Sequence, residues 1–169
     1  MCVNEMVEDY QEFLEQEILP QLAEILDVDP SILEVSVTKL KEFNPLKFSG
    51  MRVCITVRVK YQHGASFKEY VYTNSLIPLP GNASIVVSTD AYVCHLFRNK
   101  GIGKLMLLAR EMFFAGDENK EIGAILATVS SSNVAEKRIL ASCGYELLTN
   151  KLASTWTPNK VEMHVLYIK

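Results

Sequence analysis

The sequence predicts an α+β fold: a mixed, mostly antiparallel central sheet of six to seven strands, flanked by helices and containing one parallel pair. Three observations carry this. Segments near 33–40, 51–61 and 67–73 alternate apolar and polar residues and are joined by short turns, the pattern of an antiparallel meander. An apolar run over 85–93, a glycine loop, a helical pattern over 102–115 and a second apolar run at 122–129 form a β-α-β unit. The two strands of such a unit are parallel. Two short runs, near 145–149 and 161–168, then close the chain.

Taken in order, the chain opens with a helical region. Val3, Met6, Val7, Tyr10, Phe13 and Leu14 recur at three- and four-residue steps and make one apolar stripe, read as core. Pro20 either kinks this helix or starts a second one carrying Leu22, Ile25 and Leu26, and 27–30 ends it. In the strand at 51–61, Val53, Ile55, Val57 and Val59 share one face. Asn44-Pro45, Ser49-Gly50, His63-Gly64 and 78–82 are breaks. The run 85–93 has few polar residues, as expected of a central strand covered on both faces. On helix 102–115, Ile102, Leu105, Met106, Leu108, Ala109, Met112 and Phe113 are expected to face the core, with Gly116 as the stop. A helix after Asn133 runs to about Ser142 and ends at Cys143-Gly144.

The bulk properties narrow the class. A length of 169 residues suits a single domain, 1–169, with its own core. No apolar run approaches the roughly 20 residues of a bilayer span, and no basic segment followed by an apolar one opens the chain as in a secretory signal. The four cysteines (Cys2, Cys54, Cys94, Cys143) form no C-x-x-C pair, so neither metal nor disulfide is expected and a reducing cytoplasmic location is. The net charge of −3 hides an acidic helical N-terminal segment. Residues 1–30 hold nine acids and no Lys or Arg, leaving 11 acids and 17 bases for the remainder. That segment is either a solvated helix face or an acidic lip for a cationic substrate. The basic residues alternate with apolar ones on strands instead of forming a stripe, which argues against a nucleic-acid partner.

The most informative stretch is Arg98-Asn99-Lys100-Gly101-Ile102-Gly103, between a strand and a helix. Glycines let the backbone approach a ligand, and the first helical amides point unpaired at it, so the stretch reads as a phosphate seat. Arg98, Lys100 and Lys104 add positive charge. A Walker-type loop fails, because Gly103-Lys104 is followed by Leu105 and Arg98 stands where its first glycine should. A dinucleotide fingerprint fails at Met106, where a small residue is needed, and no acidic residue ends the next strand.

Arg-x-x-Gly-x-Gly after a strand resembles motif A of the GNAT acetyltransferase superfamily. Val93 stands five residues before Arg98, and Gly144-Tyr145 follows Asn133 by eleven residues, both as in that family's pattern. The resemblance covers residues 84–169, with 84–145 as an acetyl-CoA-binding core, and leaves 1–83 without a match. It implies a GNAT-like sheet whose parallel pair splays apart at a cofactor cleft. It also implies an acetyl-CoA-dependent N-acetyltransferase that passes the acetyl group directly to an amine in a ternary complex. The acceptor would be a small-molecule or protein amine, a cationic one if the acidic segment serves as a lip. The chain would be a monomer or homodimer with no membrane partner.

By the same resemblance, the amides of Asn99, Lys100, Gly101, Ile102, Gly103 and Lys104 would hold a pyrophosphate, and the main chain at Tyr92 and Val93 would pair with the pantetheine arm. An amide near Val93 would hold the thioester oxygen. Asn133 would reach the arm or cap its own helix, and Lys137 and Arg138 meet phosphates or solvent. Two family positions differ here: His95 replaces a frequent Pro, and Leu140 replaces a frequent Tyr that protonates the leaving thiolate. Tyr145, Tyr92, Ser130 or Cys143 are the substitutes, Tyr145 foremost. Asp90 and His95 are the candidate bases, with Glu69 and Tyr72 behind them, and a Cys94 nucleophile is disfavoured because direct attack needs no covalent step. Leu140 also leaves open a non-catalytic module that binds acyl-CoA or a protein partner.

Overall fold

The structure is a computed structural model that describes residues 3–41, 51–60, 68–78, 85–116, 122–148 and 161–168. The turns expected at Asn44-Pro45, Ser49-Gly50, His63-Gly64 and beyond Pro78 lie outside the described residues. The chain opens with α1 (Val3–Phe13), widens into one π-helical turn at Leu14–Ile18 and continues as α2 (Leu19–Leu26). Pro20 accounts for the wide turn. It has no amide to give, and its ring crowds the carbonyl four residues back. The chain relaxes by one five-residue step, the Leu19 amide bonding to the Leu14 carbonyl, and Pro20 then sits in the first turn of α2.

Seven strands follow: β1 (Leu33–Lys41), β2 (Met51–Lys60), β3 (Lys68–Pro78), β4 (Ile85–Val93), β5 (Ala124–Ser130), β6 (Glu146–Leu147) and β7 (Val161–Tyr167). They form one sheet in the order β1-β2-β3-β4-β5-β7-β6. Among the described strands only β4 and β5 run parallel, joined by α3 (Ile102–Ala115). A further helix, α4 (Val134–Ser142), connects β5 to β6. The fold is therefore the mixed, mostly antiparallel one expected, flanked by helices.

The main core gathers helix side chains (Tyr10, Leu14, Leu22, Met106, Phe113, Phe114, Leu140) over one set of alternating strand residues, among them Val35, Val37, Val53, Ile55, Val57, Val86, Ile125 and Val129. The aromatic stripe of α1 is part of it: the rings of Tyr10 and Phe113 stack 4.6 Å apart. The acids of that segment, Asp9 apart, stand on its exposed face. A smaller cluster on the other side of the sheet holds Ala124, Leu126, Met163 and Val165, so β5 is covered on both faces. Among the described residues, no helix is long and apolar enough to cross a membrane.

Three expectations are corrected. Leu108 (39% exposed) and Met112 (65%) turn away from the core, and Leu107, Arg110 and Phe114 turn in. α3 carries apolar residues around most of its circumference, so hydrophobicity alone could not choose the buried arc. Strand β3 runs five residues beyond Thr73, because Asn74 and Ser75, which break its apolar pattern, are themselves buried. Finally, β4 is covered only over its first half. β5 pairs with Ile85–Ser88 and no further, and Asp90 and Tyr92 are exposed.

The outer edge of the sheet has a device of its own. The side-chain amide of Gln11 on α1 donates to the Val35 carbonyl (2.6 Å) and accepts from the Val37 amide (2.5 Å). It stands in for a neighbouring strand along part of β1.

Candidate functional site

The site is built where the parallel pair parts. After Ser88 pairs with Ala127, β5 follows β7 instead: Thr128, Val129 and Ser130 pair with Met163, Glu162 and Val161. β4 meanwhile bulges. Thr89 faces Ser75 and Tyr92 faces Thr73, so Asp90 and Ala91 together oppose the single residue Asn74. Asp90 takes a left-handed conformation (φ 54°) that non-glycine residues rarely adopt.

A buried polar chain fixes this bulge. Asn74 Nδ2 donates to the Thr89 carbonyl and to Ser88 Oγ, each at 3.0 Å. Arg110, 1% exposed, donates through Nη1 to Asn74 Oδ1 (3.1 Å) and Ser88 Oγ (2.5 Å), and through Nη2 to Tyr145 Oη (2.8 Å). Its Nε is buried without a partner among the described residues. At the apex, Thr128 Oγ1 donates to Thr89 Oγ1 (3.0 Å) and bridges the two strands where they separate.

Backbone direction then matters. The Cys94 amide bonds to the Val71 carbonyl on β3 (2.9 Å). Amides of an extended strand alternate sides, so the Val93 amide points away from β3, toward the gap that β5 has left. The Val93 carbonyl faces the same way and accepts from Arg98 Nε (2.9 Å). Arg98 thus folds back over the strand end, with its guanidinium 5.1 Å from the Tyr92 ring centroid.

The loop behind it is shaped by two left-handed residues, Asn99 (φ 63°) and Gly101 (φ 81°). Leu105 is the first residue of α3 whose amide bonds back within the turn, to the Gly101 carbonyl at 3.0 Å. The amides of Ile102, Gly103 and Lys104 come before it and belong to the helix end that carries partial positive charge. A Cβ at Gly103 would lie 3.4 Å from Val93 Cγ2, in van der Waals contact, so helix and strand run close together here.

An outer groove of about 500 Å³ runs along this loop, lined by Tyr92, Val93, Arg98, Asn99, Gly101, Ile102, Gly103 and Lys104 and by Asn133, Ala135, Glu136 and Ile139 of the α4 side. It meets an inner cleft of about 220 Å³ lined by Thr89, Asp90, Thr128, Ser130 and Val161. Ala91, Asn133 and Glu136 line both.

The structure thus brings together all the cofactor-side residues singled out in the sequence except Lys100, which is exposed and lines neither part. Asn133 caps α4, its Oδ1 accepting from the Glu136 amide (3.1 Å). Lys137 pairs with Glu162 at 3.4 Å, and Arg138 is exposed. The candidate catalytic residues disperse. Asp90 lines the inner cleft, with Arg52 Nη1 3.8 Å from its carboxylate. His95 sits exposed on a short 3₁₀ turn beyond β4 and lines neither part. Tyr145 is 5% exposed in the core against Arg110, and burial raises its hydroxyl pKa against that cation's pull. Tyr72 is likewise buried and raised, while Leu140 is 1% exposed in the core.

Sequence reasoning passed over Asn74, Arg110, Thr128 and Glu136. Arg110 carried a usable signal, since it lies four and eight residues after Met106 and Ile102 on their side of α3. Glu136 was masked by its spacing: Asn133-x-x-Glu136 reads as an ordinary helix cap.

No family model matches the chain, and no curated protein sequence matches it. Solved structures do. A GNAT-family acetyltransferase of Staphylococcus aureus Mu50 is 18% identical, with 95% of this chain and 94% of that one covered and a TM-score of 0.52. An acetyltransferase of Thermus thermophilus is 15% identical over 69% of this chain and 64% of that one, TM-score 0.50. The yncA protein of Salmonella typhimurium, solved with its cofactor acetyl-CoA, is 14% identical over 70% and 65%, TM-score 0.50. The chain therefore spans just under two thirds of the Thermus and Salmonella proteins. The likeness is one of fold, and the fold is that of GNAT acetyltransferases.

Proposed function

We propose that this chain is an acetyl-CoA-dependent N-acetyltransferase that transfers the acetyl group directly to an amine. The observation that carries this is the parting of β4 and β5 beside the amino end of α3, with the Val93 amide aimed into the gap. The site fits the coenzyme. The unpaired amides of Ile102, Gly103 and Lys104 suit a pyrophosphate, and Lys104 adds charge at the same end of the groove. The arm would lie along Tyr92 and Val93, where β4 lacks a neighbour, with Asn133 and Ile139 as the opposite wall. Arg98 already holds the Val93 carbonyl, so the Val93 amide is the group left for the ligand.

Bound acetyl-CoA would supply an acyl carbon open to attack. The Val93 amide would donate to the acyl oxygen as negative charge gathers there, a preorganised donor of the kind that typically contributes about 10²–10³-fold in rate. Asp90, which lines the inner cleft, would take the proton that an alkylammonium must lose, since such amines hold it to a pKa of about 10.4. The Asp90 carboxylate at the inner cleft favours a cationic acceptor.

Calorimetric titration with coenzyme A, followed by thiol release from acetyl-CoA over a panel of mono- and polyamines, tests this reading. Saturable binding with amine-dependent release is expected. Binding without release on any amine would favour a non-catalytic acyl-CoA-binding module, which the burial of Leu140 also suits. No binding would dispose of both.

A further inference from the structure

We propose that Glu136 is the proton donor to the departing sulfur, the role for which α4 offers no hydroxyl at Leu140. This rests on reading the cleft as a thioester site. Glu136 lies one helical turn before Leu140, on the same side of α4. Leu140 is sealed in the core, whereas Glu136 lines both the outer groove and the inner cleft. It therefore stands at their junction, where a thioester entering along the groove would present its sulfur and an amine arriving through the inner cleft would meet it.

The alternative use of this side chain is closed off. In an Asn-x-x-Glu cap the glutamate normally turns back to the capping residue's amide. Here the Asn133 amide bonds instead to the Ser130 carbonyl (2.9 Å). The cap uses Glu136 only through its own amide. Among the described residues, no hydrogen bond holds the carboxylate elsewhere.

The surroundings favour the acid form. Burial raises the Glu136 pKa, and Arg110 on α3 opposes this without cancelling it. Position in the first turn of α4 also favours the anion. The other ionisable groups nearby are Tyr72 on β3 and Tyr145 after α4, both held neutral by burial, Asp90 on β4, and the cations Arg98 and Lys104 along the outer groove, which pull toward the carboxylate. A ligand in the groove removes more water from Glu136 and pushes it further toward the protonated form.

The step balances with no further reagent. The acceptor ammonium first loses one proton to Asp90 or water. The amine nitrogen bonds to the acyl carbon, and the carbon–sulfur bond breaks with its electron pair on sulfur. Glu136 gives its Oε proton to that pair, leaving a free thiol and a Glu136 carboxylate. The proton then shed by the new amide nitrogen restores the carboxyl. The departing thiolate, whose thiol has a pKa of about 8.5, is a stronger base than an ordinary carboxylate and so draws the proton from Glu136.

The test combines a carboxyl titration with kinetics. Carbon NMR of the labelled protein, assigned with Glu136→Gln, should show Glu136 titrating above the ordinary carboxylate range and higher still with coenzyme A bound. Glu136→Gln should lower kcat on the best amine by about 10²–10⁴-fold, while coenzyme A affinity stays within about threefold of wild type. Glu136→Asp should recover part of the loss. An ordinary titration in the coenzyme complex, or a Gln variant with wild-type kcat, overturns the proposal and leaves the transferase reading standing. Coenzyme binding with no turnover by the wild-type protein overturns both.

Discussion

At Val93, backbone direction decides what one residue can do. Its amide points into the gap while its neighbours Tyr92 and Cys94 hold β4 to β3. Val93→Pro removes that one donor and spares the pairing with β3. If the proposed reaction is right, acetyl transfer should fall about 10²–10³-fold, with far-UV circular dichroism unchanged. Gly101 offers a second separation of effects. A side chain there would meet nothing within 4 Å, so the cost of Gly101→Ala is purely the left-handed backbone. Denaturant unfolding should show a loss of about 1–2 kcal/mol, of which Gly101→Asn recovers a good part, because asparagine tolerates that conformation. Residues of this kind were legible because glycines and their spacing state a backbone requirement directly. Asn74, Arg110 and Glu136 were not. Each is a polar residue whose meaning comes from what lies across the sheet or cleft from it, and that is a property of tertiary placement.

Among the elements, the parallel pair, the meander and α3 could be read from periodicity and turn residues, and α3 spans the residues expected, Ile102–Ala115. What periodicity could not supply was the burial of α3's individual positions or the point where β4 loses its neighbour. A strand's sequence records its average environment, and β4 changes environment halfway along. Edge protection of β1 was equally hidden, since a glutamine on a helix gives no sign that it will act as a strand. Gln11→Ala should leave the Val35 carbonyl and Val37 amide without their partner. Urea unfolding should register a loss of about 1–3 kcal/mol, and concentration-dependent scattering should rise as the edge becomes free to pair.

Across the whole molecule, tyrosine burial ties stability to alkaline pH. Tyr10, Tyr72 and Tyr145 all have pKa values raised chiefly by burial. In the unfolded chain they ionise near pH 10, while the folded protein holds their protons to higher pH. The unfolded form therefore sheds protons first. The stabilisation is whole below about pH 10 and declines as pH rises beyond it. The urea midpoint should fall over that range, and a Tyr10→Phe, Tyr72→Phe double variant should flatten the decline. The same scale gives the parted strands a mechanical meaning. Within the sheet, β1–β4 on one side and β5–β7 on the other are joined by four paired positions, Ile85–Ser88 with Ala124–Ala127, against nine between β1 and β2. Those four rungs are a narrow seam in the sheet, and a molecule lying along the open stretch of β4 would be a strut across it. Under force applied across the sheet, the seam should tear first at Ser88, and a ligand in the gap should raise the load at which it gives way.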